Sequence, residues 1–150
     1  MAIKAYEGNY TWEEARIKCS EDGTDVKAEL PAPQSKIENW WYGDMAVGNG
    51  INKFWLGIND RDVEGEYNNQ HGSPHTFFEW GFLKPEGDDM FTERDCVQHH
   101  GISWSDAECS VTNSILCTHV EGKAVIAIKV QSKRIVGYRG CTHCGQLFFR

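Results

Sequence analysis

Residues Phe54 to Gly65 read FWLGINDRDVEG. Phe54 to Ile58 is a short apolar run interrupted by one glycine, the length and composition of a buried strand. An acidic turn follows at once, with Asp60, Asp62 and Glu64 within five residues.

On the N-terminal side of this stretch two helices announce themselves. Thr11-Trp12-Glu13-Glu14 has the pattern of a capping box, in which Thr11 covers one orphan N–H and Glu14 reaches back to another. Trp12, Ala15 and Cys19 then share one helical face. Ser35-Lys36-Ile37-Glu38 is a second capping box, placed after Pro31 and Pro33. Ile37, Trp40, Trp41 and Met45 follow at helical spacing, and such a tryptophan stripe reads as core. Gly48 and Gly50 end that element. On the C-terminal side, Glu66 to His71 begins a hairpin closed at Gly72-Ser73-Pro74. Phe77 to Trp80 reads as a short strand, Lys84 to Arg94 as an irregular Gly- and acid-rich loop, and Asp95–His99 and Ser114–Val120 as strands. A strand, two helices, then short strands and a long loop make an α+β domain.

The chain has 150 residues, room for one domain, with 22 Asp+Glu against 15 Lys+Arg and a formal charge of −7. An acidic balance excludes a nucleic-acid backbone as partner. At 40% hydrophobic and 25% charged the composition is that of a globular chain. No run of 18 apolar residues is present, so no membrane insertion is expected. Six cysteines point to disulfides and an oxidising compartment, the alternative being a cytosolic protein with buried thiols. The glycosylation sequon at Asn9-Tyr10-Thr11 weighs for the secreted reading. Met1 to Glu7 is short and mixed, unlike a secretory signal, so the expectation is a mature form or an extracellular part of a larger protein.

Several features together resemble the C-type lectin-like domain. Tyr10 to Cys19 (YTWEEARIKC) is similar to that family's first helix, which ends in a cysteine. Phe54 to Gly65 is similar to its WIGL-type strand and acidic turn. Phe77 to Trp80 stands where the family often has a Tyr-x-x-Trp run. Asp95-Cys96, Trp104-Ser105-Asp106, Cys109 and Cys117 reproduce the order of its C-terminal half. The resemblance covers roughly Lys4 to Val120 and assigns residues 1–120 to one domain. It implies two helices, short antiparallel sheets and a long ligand-carrying loop, stapled by Cys19–Cys117 and Cys96–Cys109. Spacing alone leaves 15 connectivities open for six cysteines.

The resemblance also implies where a sugar-coordinating calcium would sit. Its ligands come from a Glu-Pro-Asn or Gln-Pro-Asp triplet, an acidic residue before the third cysteine, and a Trp-Asn-Asp motif. Here those places hold Lys84-Pro85-Glu86, Arg94 beside Glu93, and Trp104-Ser105-Asp106. Calcium takes six to eight oxygens, several of them anionic, and Lys84 and Arg94 offer none. The usual sugar site is therefore expected to be absent, with Lys84 paired to Asp106 in place of the ion. Asp88, Asp89 and Glu93, in a loop longer than usual, are the means by which a variant site would re-form. A second, structural calcium is implied at Asp60, Glu64 and Asp95, with Asp88 or Asp89 as a fourth carboxylate. The alternative for this group is an ordinary acidic surface.

Residues 121–150 form a separate C-terminal extension. Ala124 to Val130 alternates like a strand, Arg134 to Tyr138 is its hairpin partner, and Cys141-Thr142-His143-Cys144 forms a turn. A zinc site needs four ligands, to be completed by His99, His100, His119 or His143 without a recognised spacing. The preferred reading is a tail closed by a small disulfide or paired with another chain. No Ser-His-Asp grouping, phosphate loop or paired-carboxylate motif is present, so no catalysis is expected. The functional expectation is an extracellular recognition module binding a protein or glycan. Its rivals are a calcium-assisted lectin with a variant site around Glu86, Asp88 and Asp106, and a matrix domain assembling as a homo-oligomer through Cys141 and Cys144.

Overall fold

The computed structural model describes residues 2–22 and 27–119. In chain order the elements are β1 (Ala2–Tyr10), α1 (Trp12–Asp22), β2 (Ala28–Glu29), α2 (Lys36–Gly48), β3 (Lys53–Asn59), β4 (Asn68–Asn69), β5 (Cys96–His100), β6 (Ser103–Ala107) and β7 (Asn113–His119). The expected extension at 121–150, with its hairpin, Cys141 and Cys144, lies outside the described residues. The sheet runs β1-β7-β3-β5-β6, with β2 against β7 and β4 against β3. Pairings between these strands are antiparallel except for one bridge between Phe54 in β3 and Ser114 in β7. The order is α+β, as the element pattern indicated.

Helix α1 starts where its capping box places it. The Thr11 N–H donates to Glu14 Oε2 at 2.8 Å and the Glu14 N–H to Thr11 Oγ1 at 3.3 Å. Its inner face, Trp12, Ala15 and Cys19, is buried. Helix α2 is capped by Ser35, which accepts from the Glu38 N–H at 3.2 Å, while Glu38 Oε2 reaches one residue further back, to the Gln34 N–H, at 2.7 Å. The tryptophan stripe of α2 does not form core. Ile37 is 82% exposed and Trp40 68%, and Trp41 is exposed as well. The buried face is Asn39, Tyr42, Gly43 and Ala46. The reason is polar as well as steric. Asn39 accepts from Trp104 Nε1 at 2.6 Å and donates to the Ile102 carbonyl at 2.9 Å, so this side chain ties the helix to the sheet. Gly43 lets the helix approach closely: a Cβ there would stand 3.2 Å from the Gly101 carbonyl.

Strand β3 is the central strand of the sheet. Phe54, Trp55, Leu56 and Ile58 are each at most 1% exposed. Its glycine is required by close approach, since a Cβ on Gly57 would lie 2.9 Å from the Leu30 carbonyl. The three inner tryptophans each find an acceptor, as buried indoles must: Trp12 on the Leu56 carbonyl, Trp55 on the Tyr10 carbonyl, Trp104 on Asn39. Phe77 to Trp80, expected as a strand, contributes only an isolated bridge from Trp80 to Trp104. Its rings pack instead, Phe77, Phe78 and Trp80 each meeting Trp104 edge-on. The hairpin after Glu66 is reduced to the two residues of β4, whose Asn69 N–H closes on the Ser73 carbonyl at 2.8 Å.

Two disulfides staple this frame. Cys19 is bonded to Cys117 across a separation of 98 residues, and Cys96 to Cys109 across 13. In the chain-entropy model such loops are worth roughly 4 to 5 and about 3 kcal/mol. The second anchors the end of the long loop: Cys96 opens β5 directly after Asp95.

Candidate ligand loop and acidic cluster

The segment from Gly81 to Asp95 leaves the sheet at Trp104, where the Gly81 N–H donates to the Trp104 carbonyl at 2.9 Å, and returns at β5. The Lys84–Pro85 peptide bond is cis. Between these anchors the loop is organised by two groups of carboxylates with opposite fates.

The first group surrounds the triplet. Asp106, 4% exposed in β6, accepts the Glu86 N–H on Oδ1 at 2.9 Å and the Gly87 N–H on Oδ2 at 2.7 Å. Lys84 does not pair with Asp106, as the sequence suggested; its ammonium bonds to Glu86 Oε1. The reason is local: the main chain of the loop already occupies both Asp106 oxygens, and Glu86 is two residues away. Arg94 crosses the same turn, 3.5 Å from Glu86 Oε2 and 3.1 Å from Asp89 Oδ2, and donates to the Gly87 carbonyl at 3.1 Å. Lys84 first, then Arg94, hold the Glu86 carboxyl below its ordinary pKa. The Phe91 N–H and Arg94 do the same to Asp89. Ser105 turns away from this group and accepts from Gln98 Nε2 at 3.0 Å. Glu93 is exposed. Asp106, Glu86 and Asp89 therefore each meet a cation or a backbone amide.

The second group is Asp60, Glu64 and Asp95, whose ligand oxygens lie within 4.8 Å of one another. Asp60 is 2% exposed: Oδ2 accepts the Gly65 N–H at 2.8 Å, while Oδ1 has no hydrogen-bond partner of good geometry among the described residues, the Tyr67 hydroxyl, pushed up by burial first and then by this carboxyl, lying close to it. Burial first, then Glu64 and Asp95, push the Asp60 carboxyl up to about 6 against the pull of Gly65. Burial, with Asp88 and Glu93 nearby, also raises Asp95. Hard oxygen donors, one of them buried and without a well-aligned donor, suit a hard divalent cation. The two proposed fourth ligands both have their carboxylates engaged within the loop. Asp88 Oδ1 accepts the Arg94 N–H at 2.7 Å and its own N–H donates to Glu64 Oε1 at 3.2 Å, so it orders Glu64. Asp89 is committed to Arg94 and to the Phe91 N–H. Asn9, the sequon residue, is exposed on β1.

Sequence reasoning missed the loop's apolar crest. Phe82 is 91% and Phe91 92% exposed, and Leu83 and Met90 are exposed beside them. The signal available was two Phe, one Leu and one Met within ten residues of an otherwise acidic, Gly-containing loop.

A family model described as Lectin C-type domain matches residues 8–119. The mouse protein named C-type lectin domain family 3 member A is 31% identical over 120 residues, 77% of this chain and 58% of that protein. Lectin BRA-3 of Megabalanus rosa is 29% identical over 110 residues, 71% of this chain and 63% of its own length. The chain thus spans less than two thirds of either relative. Among solved structures, the C-type lectin CEL-I from Cucumaria echinata superposes with a TM-score of 0.68 at 21% identity, covering 79% of this chain and 89% of that one. The mouse scavenger receptor C-type lectin carbohydrate-recognition domain gives 0.68 at 22%, covering 79% and 90%. With the strand-and-acidic-turn at 54–65, both disulfides and the loop in place within the matched span, the chain belongs to the C-type lectin domain family.

Proposed function

We propose that this domain is an extracellular, non-catalytic recognition module that binds a protein or glycan through the surface of the Gly81–Asp95 loop, without a calcium ion at the triplet. The observation that carries this reading is the state of Asp106. Both its oxygens accept backbone amides, and the neighbouring Glu86 is held by Lys84 and Arg94. A cation entering there would have to displace two amides and two basic side chains, which themselves bring no acceptor. The exposed Phe82, Leu83, Met90 and Phe91 supply the contact surface, since aromatic and large apolar side chains dominate recognition energetics.

A structural calcium belongs at Asp60, Glu64 and Asp95. There it would bind Asp60 Oδ1 and relieve repulsion among three carboxylates, drawing the acidic turn after β3 to the end of the loop before β5. Asp88 would assist by fixing Glu64 through its N–H. The ion supplies position and stability to the loop; the loop's own side chains supply recognition.

The test is chromatography on immobilised mannose and galactose in calcium, followed by chelator. The protein is expected to run through both columns unretained. Retention in calcium and release by chelator would overturn the proposal.

A further inference from the structure

Helix α2 carries its large apolar residues on the side away from the core. Asn39, Tyr42, Gly43 and Ala46 face inward, while Ile37, Trp40, Trp41 and Val47 are exposed, with Lys36 and Asp44 among them. At 3.6 residues per turn these six fall within one arc of about 140°. On it Lys36, Trp40 and Asp44 form a single i, i+4, i+8 ridge, with each charged residue about 6 Å along the axis from Trp40. Lys36 approaches Glu79 only to 3.7 Å and its side chain stays 80% exposed, a contact of little strength. The exposed Asp44 side chain has no ion pair or hydrogen bond among the described residues. Ile102, exposed in the turn between β5 and β6, lies alongside the helix, its carbonyl being the acceptor of Asn39 Nδ2. Tryptophan is enriched at protein interfaces and among the residues that carry their energy.

We infer that this face is the interface of a homodimer, in which α2 packs antiparallel on α2 of a second copy about a twofold axis at Trp40. The charges select the occupant. Lys36 and Asp44 are equidistant from Trp40 along one ridge, so a twofold axis crossing that ridge at Trp40 sets Lys36 of each copy over Asp44 of the other. The surface is its own complement, as an isologous contact requires. Aligning the i±4 ridges of two helices gives a crossing angle near −50°, the commonest class in globular proteins. The two Trp40 rings meet at the axis, where offset stacking is favoured, and Ile37, Trp41 and Val47 close around them. A membrane is the poorer occupant. Helices that lie among lipid headgroups are rich in Lys and Arg on their polar face, whereas α2 has one lysine against Glu38 and Asp44, on a chain of net charge −7. The face offers on the order of 500 Å² per copy, below the roughly 800 Å² of a standard interface, so the pair is a weak one, of micromolar dissociation constant.

The experiment is analytical sedimentation of the full chain over a range of concentrations. A reversible monomer–dimer equilibrium in the micromolar range is expected. Trp40→Glu should raise the dissociation constant tenfold or more. Its monomer should keep the thermal midpoint of the unaltered monomer, because the side chain is exposed. Two charge variants test the geometry. Lys36→Asp and Asp44→Lys should each dimerise several-fold more weakly alone, through like charges facing across the axis. Mixed one to one, they should associate at least as tightly as the unaltered chain. Lys36→Asp suits the fold, since an acid is favoured in the first turn of a helix. A chain that stays monomeric at concentrations up to millimolar would overturn the inference. So would a dimer indifferent to Trp40→Glu, or a mixture of the two charge variants no tighter than either alone. Loss of the dimer in Cys141→Ser with Cys144→Ser would assign assembly to those cysteines and overturn it. A monomer destabilised by Trp40→Glu would give the face to residues 121–150 of the same chain, and binding to phosphatidylcholine vesicles that Trp40→Glu abolishes would give it to a membrane; either overturns the dimer. None of these outcomes bears on the long loop.

Discussion

The two ends of the long loop carry similar numbers of carboxylates and treat them in opposite ways. At the triplet end, Asp106, Glu86 and Asp89 are matched by two backbone amides, Lys84 and Arg94. At the strand end, Asp60, Glu64 and Asp95 crowd together, and one oxygen of Asp60 has no hydrogen-bond partner of good geometry among the described residues. The difference teaches that acidic residues alone do not make a cation site. What matters is whether the fold supplies their counter-charges internally. Internal counter-charge closes a site; its absence leaves repulsion that an ion would relieve.

The comparison can be broken most forcefully by exchanging the charges at the triplet. Lys84→Glu, Glu86→Asn, Arg94→Glu and Ser105→Asn together should create calcium-dependent retention on a monosaccharide column. Even a millimolar affinity corresponds to about 4 kcal/mol of binding. A quadruple variant that folds, binds calcium and still ignores sugar would show that the triplet charges are not what closes the site.

A second prediction concerns Asp106 itself. Asp106→Ala strands the Glu86 and Gly87 amides and should lower stability by about 3 kcal/mol, because hydrogen bonds to a charged acceptor are individually worth roughly 1.5 to 3. Chemical denaturation should give the same loss in calcium and in chelator. A loss seen only in calcium would place an ion at Asp106.

The strand end is sharpened by heat and pH. Calcium at a hundredfold excess over its dissociation constant stabilises by about 2.7 kcal/mol, which for a domain of this size is a rise of roughly 10 °C in Tm. Asp60→Asn should remove the rise. Without calcium, the raised Asp60 pKa of about 6 means the folded state holds this proton more tightly than the unfolded chain. That contribution is complete below about pH 4 and is lost as pH climbs through about 6. Calcium competes with the same proton, which at pH 5 weakens binding about tenfold, so its stabilisation should be full at pH 7.5 and about half as large at pH 5. A calcium-induced rise in Tm that does not change between those pH values would exclude Asp60 as a ligand.

The smallest effect is expected from Lys84→Met. Its pair with Glu86 lies at the surface, Lys84 half-buried and Glu86 exposed, and surface pairs contribute little net stability. The thermal midpoint should be indistinguishable from that of the unaltered chain. A clear loss would mean that Lys84 has a packing role beyond neutralising Glu86.

Much of this architecture was legible in the residues because local chemistry and global fold agree. The Thr11/Glu14 box, the buried run from Phe54 to Ile58, and the three inner tryptophans are consistent at every level. Helix α2 was misread because a 3.6 period reveals that a helix has two faces without saying which one is inside. There the polar face won, through Asn39 and Gly43, for reasons that lie in Trp104 and Gly101, some sixty residues away. The Lys84–Asp106 pair failed similarly: the sequence shows charges, while the competing donors are main-chain amides common to every residue. The carboxylate trio was legible because the strand-and-turn motif sets Asp60 and Glu64, and Cys96 sets Asp95. The place of a fourth carboxylate stays open, because Asp88 and Asp89 are set by Arg94 and by the loop's own turn.

The contrast between the two ends of the loop is tested most directly by calorimetric titration of the metal-free protein with calcium at pH 7.5. One ion per chain is expected, with binding removed by Asp60→Asn and retained in Lys84→Met. Two ions per chain would show that the triplet end is open. No binding, or a single site that survives Asp60→Asn, would contradict the assignment of the cation to the strand end.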